Sequence, residues 1–289
     1  MPNLISDFLA DLRGAGKSPE TLRGYGSNLQ AFAAFYKGEI GAISVSVVRE
    51  YLRILEGRTP ATIARHRAAL SAFLRWCVQA DLLLANPVER LPKIKLPQAQ
   101  PRAMPAGEVQ AVLKGIKDKR DRLIFHLMAD TGARVSEILS LRMERIRLPA
   151  QEITIVGKGG RERTLYLIQR ESYGMLRRYL RAQCWLAGDG ETITGRGLLF
   201  RPDEAKRRGG HAGAPIHYSV IQKAWQHYSR EAGVHATIHQ LRHTYATRLI
   251  NEGKPVEVIQ KILGHRNLQT TQRYAVVSDE TVRRALEEG

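Results

Sequence analysis

The chain is short of cysteine, of acidic side chains and of long apolar runs, and each shortage removes a class of protein. Cysteine occurs twice in 289 residues, at Cys77 and Cys184. Two thiols in apolar helical patterns do not make a disulfide framework, and they fit a reducing compartment. No stretch approaches the ~18 apolar residues of a membrane-spanning helix. Met1-Pro2-Asn3-Leu4-Ile5-Ser6-Asp7 has no basic segment leading into an apolar one. A cytoplasmic protein with no membrane partner is expected. The sequence also lacks the paired carboxylates or Asp-rich cluster that would hold magnesium ions. Its chemistry is therefore expected to need no metal and no cofactor.

Positive charge, by contrast, is in excess. Lys and Arg number 45 against 28 Asp and Glu, a formal charge of +17, and the pI is near 10.2. Such an excess suits a polyanion. The basic residues are spread along the whole length rather than gathered in one tail or helix. That favours nucleic acid over a membrane surface, and with it an association with the nucleoid.

The length predicts two domains of ordinary size, and an apolar fraction of 43% is enough for real cores. Ser18-Pro19-Glu20 and Thr59-Pro60-Ala61 each read as an N-cap followed by proline in the first helical turn. Leu22, Tyr25, Leu29, Phe32, Ala33 and Tyr36 then repeat at helical spacing, as do Ile63, Leu70, Phe73, Leu74 and Cys77. With shorter helices near 3–13 and 45–55, residues 1–90 form a four-helix unit. Lys17, Arg23, Arg58, Arg65 and Arg67 are candidates for a face that meets phosphate, or for a solvated basic face. Four prolines in residues 91–105 forbid a continuous helix and predict a linker. Residues 106–289 form the second domain. The expected fold class is mainly α, with a small antiparallel β-hairpin in that domain.

The second domain carries the chemistry. Thr131-Gly132 ends a helix, with Gly132 as a left-handed cap, and Arg134 follows at the start of another. A guanidinium fork beside backbone donors suits phosphate. Glu152–Val156 and Arg163–Leu167 alternate like strands around Gly157-Lys158-Gly159-Gly160. Lys158 on such a tip could protonate a leaving alkoxide. The glycines are not a phosphate-binding Walker loop, because the Lys-Ser/Thr spacing and the following helix are missing. Residues 171–187 read as helix, and 188–215 as a loop with one short strand, Leu198-Leu199-Phe200. Residues 217–231 read as helix again. His239 and Arg242 share a helix face. His243 raises a zinc reading, but Gln240 stands where a His-Glu-x-x-His helix has its glutamate and a third ligand is missing. A helix from Val256 to Leu263 ends at Gly264, followed by His265 and, nine residues on, Tyr274. A tyrosine of pKa about 10 is a poor nucleophile unless cations stabilise its phenolate. Each residue alone has an ordinary structural reading. Together they supply cations, an acid and a nucleophile for a pentavalent phosphorane.

In these motifs the chain resembles the tyrosine recombinase (phage integrase) family, and in length its Xer-type and transposon or plasmid members. The matching stretches are Thr131-Gly132-Ala133-Arg134-Val135-Ser136-Glu137, Gly157-Lys158-Gly159, His239-Gln240-Leu241-Arg242-His243-Thr244, Leu263-Gly264-His265 and Thr271-Gln272-Arg273-Tyr274. Ala275-Val276 depart from the threonine and histidine that many relatives carry there.

The resemblance implies a core-binding domain, a linker and a catalytic domain that clamp duplex DNA bearing inverted-repeat half-sites. It implies a homotetramer on DNA, with or without a second recombinase or accessory protein. Arg134 and Arg242 would bind the scissile phosphate oxygens, and His265 would donate a hydrogen bond to the same phosphate. His239 would assist proton transfer, Lys158 would protonate the 5′-hydroxyl, and Tyr274 would form a 3′-phosphotyrosyl bond. Glu137 would support the arginines or be a plain helix glutamate. Ser278–Leu286 would be a terminal helix that docks on a neighbouring protomer or packs on its own domain. Two other readings stay open: a type IB topoisomerase-like enzyme and a DNA-binding regulator without catalysis.

Overall fold

Short-range side-chain chemistry sets where the helices begin. In the computed structural model, Ser18 Oγ accepts from Thr21 N at 3.3 Å and starts α2 (Pro19–Phe35). Thr59 Oγ1 does the same for Thr62 N at 3.3 Å and starts α4 (Pro60–Gln79). With α1 (Pro2–Gly14) and α3 (Val45–Ile54), these helices build the first unit, as expected. The structure describes residues 1–92, 94, 96, 103–157, 160–202 and 215–264. The chain divides into two compact units, Met1–Ala99 and Gln100–Gly289.

The core of the first unit is aromatic. Phe8 meets Phe73 edge-on at 5.6 Å, and Phe32 meets Tyr51 edge-on at 5.0 Å. Edge-to-face pairs of this kind add about 0.5–1.5 kcal/mol beyond their burial. Cys77 is fully buried here, and burial pushes its thiol up to about 11, so it is unreactive at neutral pH. Arg67 does not face outward for phosphate. Its guanidinium donates to the carbonyls of Pro92 (2.8 Å), Val88 (3.3 Å) and Leu91 (2.8 Å) and ties the end of the unit to α4.

The second unit carries seven α-helices and a three-stranded sheet among its described residues. Its helices are α5 (Ala106–Gly115), α6 (Lys119–Thr131), α7 (Val135–Leu139), α8 (Arg170–Ala182), α9 (Tyr218–Glu231), α10 (Ile238–Asn251) and α11 (Val256–Leu263). The strands β1 (Ile146–Arg147), β2 (Glu152–Val156) and β3 (Glu162–Tyr166) pair antiparallel in that order. Ile153 opposes Leu165 and Ile155 opposes Arg163. Successive strand residues face opposite ways, so Ile153, Ile155 and Leu165 all enter the core. Trp225 is fully buried and donates from Nε1 to Ala236 O at 3.1 Å. Ala246, Leu249, Ile259 and Leu263 join α10 to α11 in a smaller cluster.

Two sequence expectations fail here for local reasons. The helix begun at Arg170 stops at Ala182, and Cys184 follows in a left-handed conformation, φ 56°, exposed rather than on an apolar helix face. Leu198 forms only an isolated bridge to Arg142 and not a strand: Gly197 O accepts from Met143 N and Leu199 N donates to Leu141 O, but the partner chain then turns into a 3₁₀ helix at Met143–Arg145 and cannot extend a ladder. The expected terminal helix at 278–286 lies outside the described residues. Among the described residues no helix is long and apolar enough to cross a membrane.

Gly132 ends α6 in the left-handed region, φ 63°. A Cβ there would lie 2.5 Å from Tyr245 Cδ1 and 2.9 Å from Leu263 Cδ2. Left-handed backbone and overpacking together predict that Gly132→Ala destabilises the unit by ~2–4 kcal/mol. Urea unfolding should show a lower midpoint at unchanged slope. A loss below ~1 kcal/mol would mean that Tyr245 and Leu263 move aside freely.

Candidate active site

The site is built where α6 ends, α7 starts and α10 passes. Arg134 is the residue before α7. Its backbone N donates to Glu137 Oε2 at 2.7 Å and its Nη1 to Glu137 Oε1 at 3.0 Å. Glu137 is a buried carboxylate, 4% exposed, whereas the Arg134 side chain is 41% exposed. Arg134 is therefore anchored from below and open above. Sequence reading left Glu137 between a supporting role and a surface one, and its burial and four bonds decide for support.

Arg242 is buried at 6% exposure. Its Nη1 donates to Gly132 O at 2.6 Å and its Nη2 to Leu263 O at 2.7 Å. Both acceptors are carbonyls at helix ends, which otherwise lack intrahelical partners. They hold the guanidinium without cancelling its charge. The two glycine caps, Gly132 and Gly264, bring these ends to Arg242 because both adopt left-handed φ.

His239 lies one turn before Arg242 on α10. Burial, then the Arg242 and Arg134 guanidiniums, hold its pKa below the usual histidine value. Both arginines thus act on one imidazole, which is neutral at pH 7 and able to accept a proton. Tyr218 at the start of α9 stacks on this ring, with centroids 6.2 Å apart and the hydroxyl 3.4 Å from Nε2. Gln240 is committed to the backbone at the start of the helix. Its Oε1 accepts from Thr237 N at 2.7 Å and closes the start of α10.

The structure therefore brings together three of the six predicted residues: Arg134, His239 and Arg242. Lys158, His265 and Tyr274 lie outside the described residues. The residues just before two of them are described, and both border the buried Glu137–Arg163 pair. A Cβ on Gly157 would be 3.5 Å from Glu137 Oε1, and one on Gly264 3.0 Å from Arg163 Nη1.

Sequence reading missed Arg163 and Tyr218. The signal for Arg163 was available: two residues before Leu165, it takes an inward position of β3 where an apolar side chain is the rule. Tyr218 left no such mark, because its contact with His239 spans 21 residues.

This arrangement of guanidiniums around a neutral imidazole suits a phosphodiester. Comparison with known proteins agrees. Residues 102–281 match the phage integrase family, and residues 5–81 match the phage integrase N-terminal SAM-like domain. The tyrosine recombinase XerC of Thermodesulfovibrio yellowstonii is 30% identical over 94% of this chain and 91% of its own length. The XerH site-specific recombinase bound to palindromic difH substrate, a post-cleavage complex, superposes with a TM-score of 0.71 at 20% identity, covering 92% of this chain and 78% of that one. A lambda integrase tetramer bound to a Holliday junction gives a TM-score of 0.72 at 17% identity over 94% and 76%. With the family match spanning most of the chain and its three described arginine and histidine positions gathered at one site, the chain belongs to the phage integrase family of tyrosine recombinases.

Proposed function

We propose that this recombinase cuts and rejoins duplex DNA through a 3′-phosphotyrosyl bond at Tyr274, without metal or ATP. The observation that carries this reading is the pairing of an open, anchored Arg134 with a carbonyl-held Arg242 around neutral His239. The two guanidiniums bind the non-bridging oxygens of the scissile phosphate, whose charge grows in the transition state. His239 takes the Tyr274 proton, the phenolate attacks phosphorus, and the P–O5′ bond breaks. Lys158 protonates the leaving 5′-oxygen, and His265 donates to the phosphate. One phosphodiester is exchanged for another, so a 5′-hydroxyl from a partner duplex can reverse the step without an energy source. Residues 1–90 act as a core-binding domain, 91–105 as a linker and 106–289 as the catalytic domain. Four copies act on inverted-repeat half-sites of nucleoid DNA. The palindromic substrate of the XerH complex and the tetrameric lambda integrase complex support that assembly.

The test is to incubate the full chain with nicked duplexes of randomised sequence, resolve covalent adducts on a denaturing gel and sequence the attached DNA. A protein-linked 3′ end over a palindromic consensus is expected. Complete absence of adduct from that library would sink the reading.

The role of His239 has its own signature. Proton acceptance requires the neutral ring, so cleavage falls as pH drops through its pKa. That pKa is depressed, so the acid limb of kcat/KM should lie below the value of an ordinary histidine. His239→Gln should remove this limb along with much of the rate. A limb that persists unchanged in the variant would assign it to another group.

A further inference from the structure

Arg163 has no part in the chemistry above, yet it is held at the edge of the site with little exposure. Its side chain is 12% exposed, on the inner face of β3 opposite Ile155. Nη1 donates to Glu137 Oε1 and Nη2 to Oε2, each at 3.0 Å. With the two bonds from Arg134, Glu137 accepts four hydrogen bonds. A carboxylate offers about four lone-pair sites, so Glu137 is saturated. The Nε of Arg163 is buried without a partner among the described residues. Such a costly placement persists where the fork itself is held firmly.

Charge, more than geometry, explains the fork. Glu137 sits three residues beyond Arg134 on α7 and is ideally placed to pair with it. Left alone, its carboxylate would take both arms of the Arg134 guanidinium and cancel the charge needed by phosphate. Instead, among the described residues, only one arm is engaged, and Arg163 supplies the countercharge. Resting on the phosphate-binding role assigned above to Arg134, we propose that Arg163 is a positioning residue that neutralises Glu137 and so leaves Arg134 free to hold the scissile phosphate.

Inorganic sulfate is a probe of this that needs no DNA, so its result is separate from whether an adduct forms. Calorimetric titration of the full chain should show sulfate binding that Arg134→Ala weakens. Arg163→Gln should weaken it by about fivefold or more, and adding Glu137→Gln should restore it to within about twofold of wild type, because no carboxylate then draws on Arg134. Arg163→Lys keeps the charge and should stay near wild type; it serves as the comparison if Arg163→Gln does not fold. A merely structural role predicts the opposite: the double variant no better than the single, and the lysine variant as weak as glutamine. Either result, or sulfate binding that ignores Arg134→Ala, overturns the proposal. On DNA recovered as an adduct, a methylphosphonate at the scissile position removes the charge that Arg134 must meet. The cleavage deficit of Arg163→Gln should then shrink from about tenfold or more to about threefold or less. Equal deficits on both substrates would likewise overturn it.

Discussion

Tyr274→Phe is expected to abolish covalent adduct formation while leaving DNA affinity within about threefold of wild type. The variant loses one hydroxyl, and with it the only atom assigned to attack phosphorus. Binding persists because it is spread over many basic contacts, each a small share of the total. A denaturing gel reads the first quantity and filter binding the second. The described tyrosines nearest the site are Tyr218, against the His239 ring, and Tyr245, against Gly132. Burial pushes the Tyr245 hydroxyl above its usual pKa and makes it a poor nucleophile. An adduct that survives Tyr274→Phe but not Tyr218→Phe would therefore move the nucleophile to Tyr218.

Arg242→Ala is expected to damage both fold and chemistry. The buried guanidinium holds the carbonyls of Gly132 and Leu263. Each buried acceptor left unpaired costs about 1–3 kcal/mol, so the second unit should lose ~2–5 kcal/mol. For a domain of this size that lowers Tm by on the order of 10 °C. The adduct rate, measured well below the lowered Tm, should fall by about 10²–10³-fold, the scale seen when one preorganised donor to a developing charge is removed. Arg242→Lys separates the two effects. A single ammonium keeps a charge but cannot span two carbonyls and a phosphate, so part of the stability should return and little of the rate. A lysine variant with near-normal cleavage would show that Arg242 acts as a charge alone.

Features that depend on neighbours in sequence were legible before the structure. Ser18 and Thr59 caps act over three residues, and the left-handed stops at Gly132 and Gly264 need only the local backbone. The four-helix first unit and the hairpin followed from periodicity. What failed was non-local. Arg67 looked like any basic helix residue, because its carbonyl partners lie 21–25 positions away. Leu198-Leu199-Phe200 had the composition of a strand, but a strand also requires a straight partner, and position 142 opens a 3₁₀ turn. At the site, Arg134, His239 and Arg242 were readable from motif and spacing. Arg163 was passed over because basic residues are common in this chain, although its place two residues before Leu165 on β3 marked an inward position; its partner Glu137, 26 residues away, emerges only in the fold.

The two carbonyls that seat Arg242 have a bearing on synthesis. They lie 110 residues before it and 21 residues after it. On the ribosome, the later carbonyl does not exist until translation has passed Leu263, and a contact spanning over a hundred residues is slow to close. Until then Arg242 is a mobile cation on an unfinished chain. On the proposed reading, a nascent chain with a completed first unit still lacks an organised phosphate clamp. If Arg242 binds the scissile phosphate as proposed, competence to cut waits until Leu263 has been made.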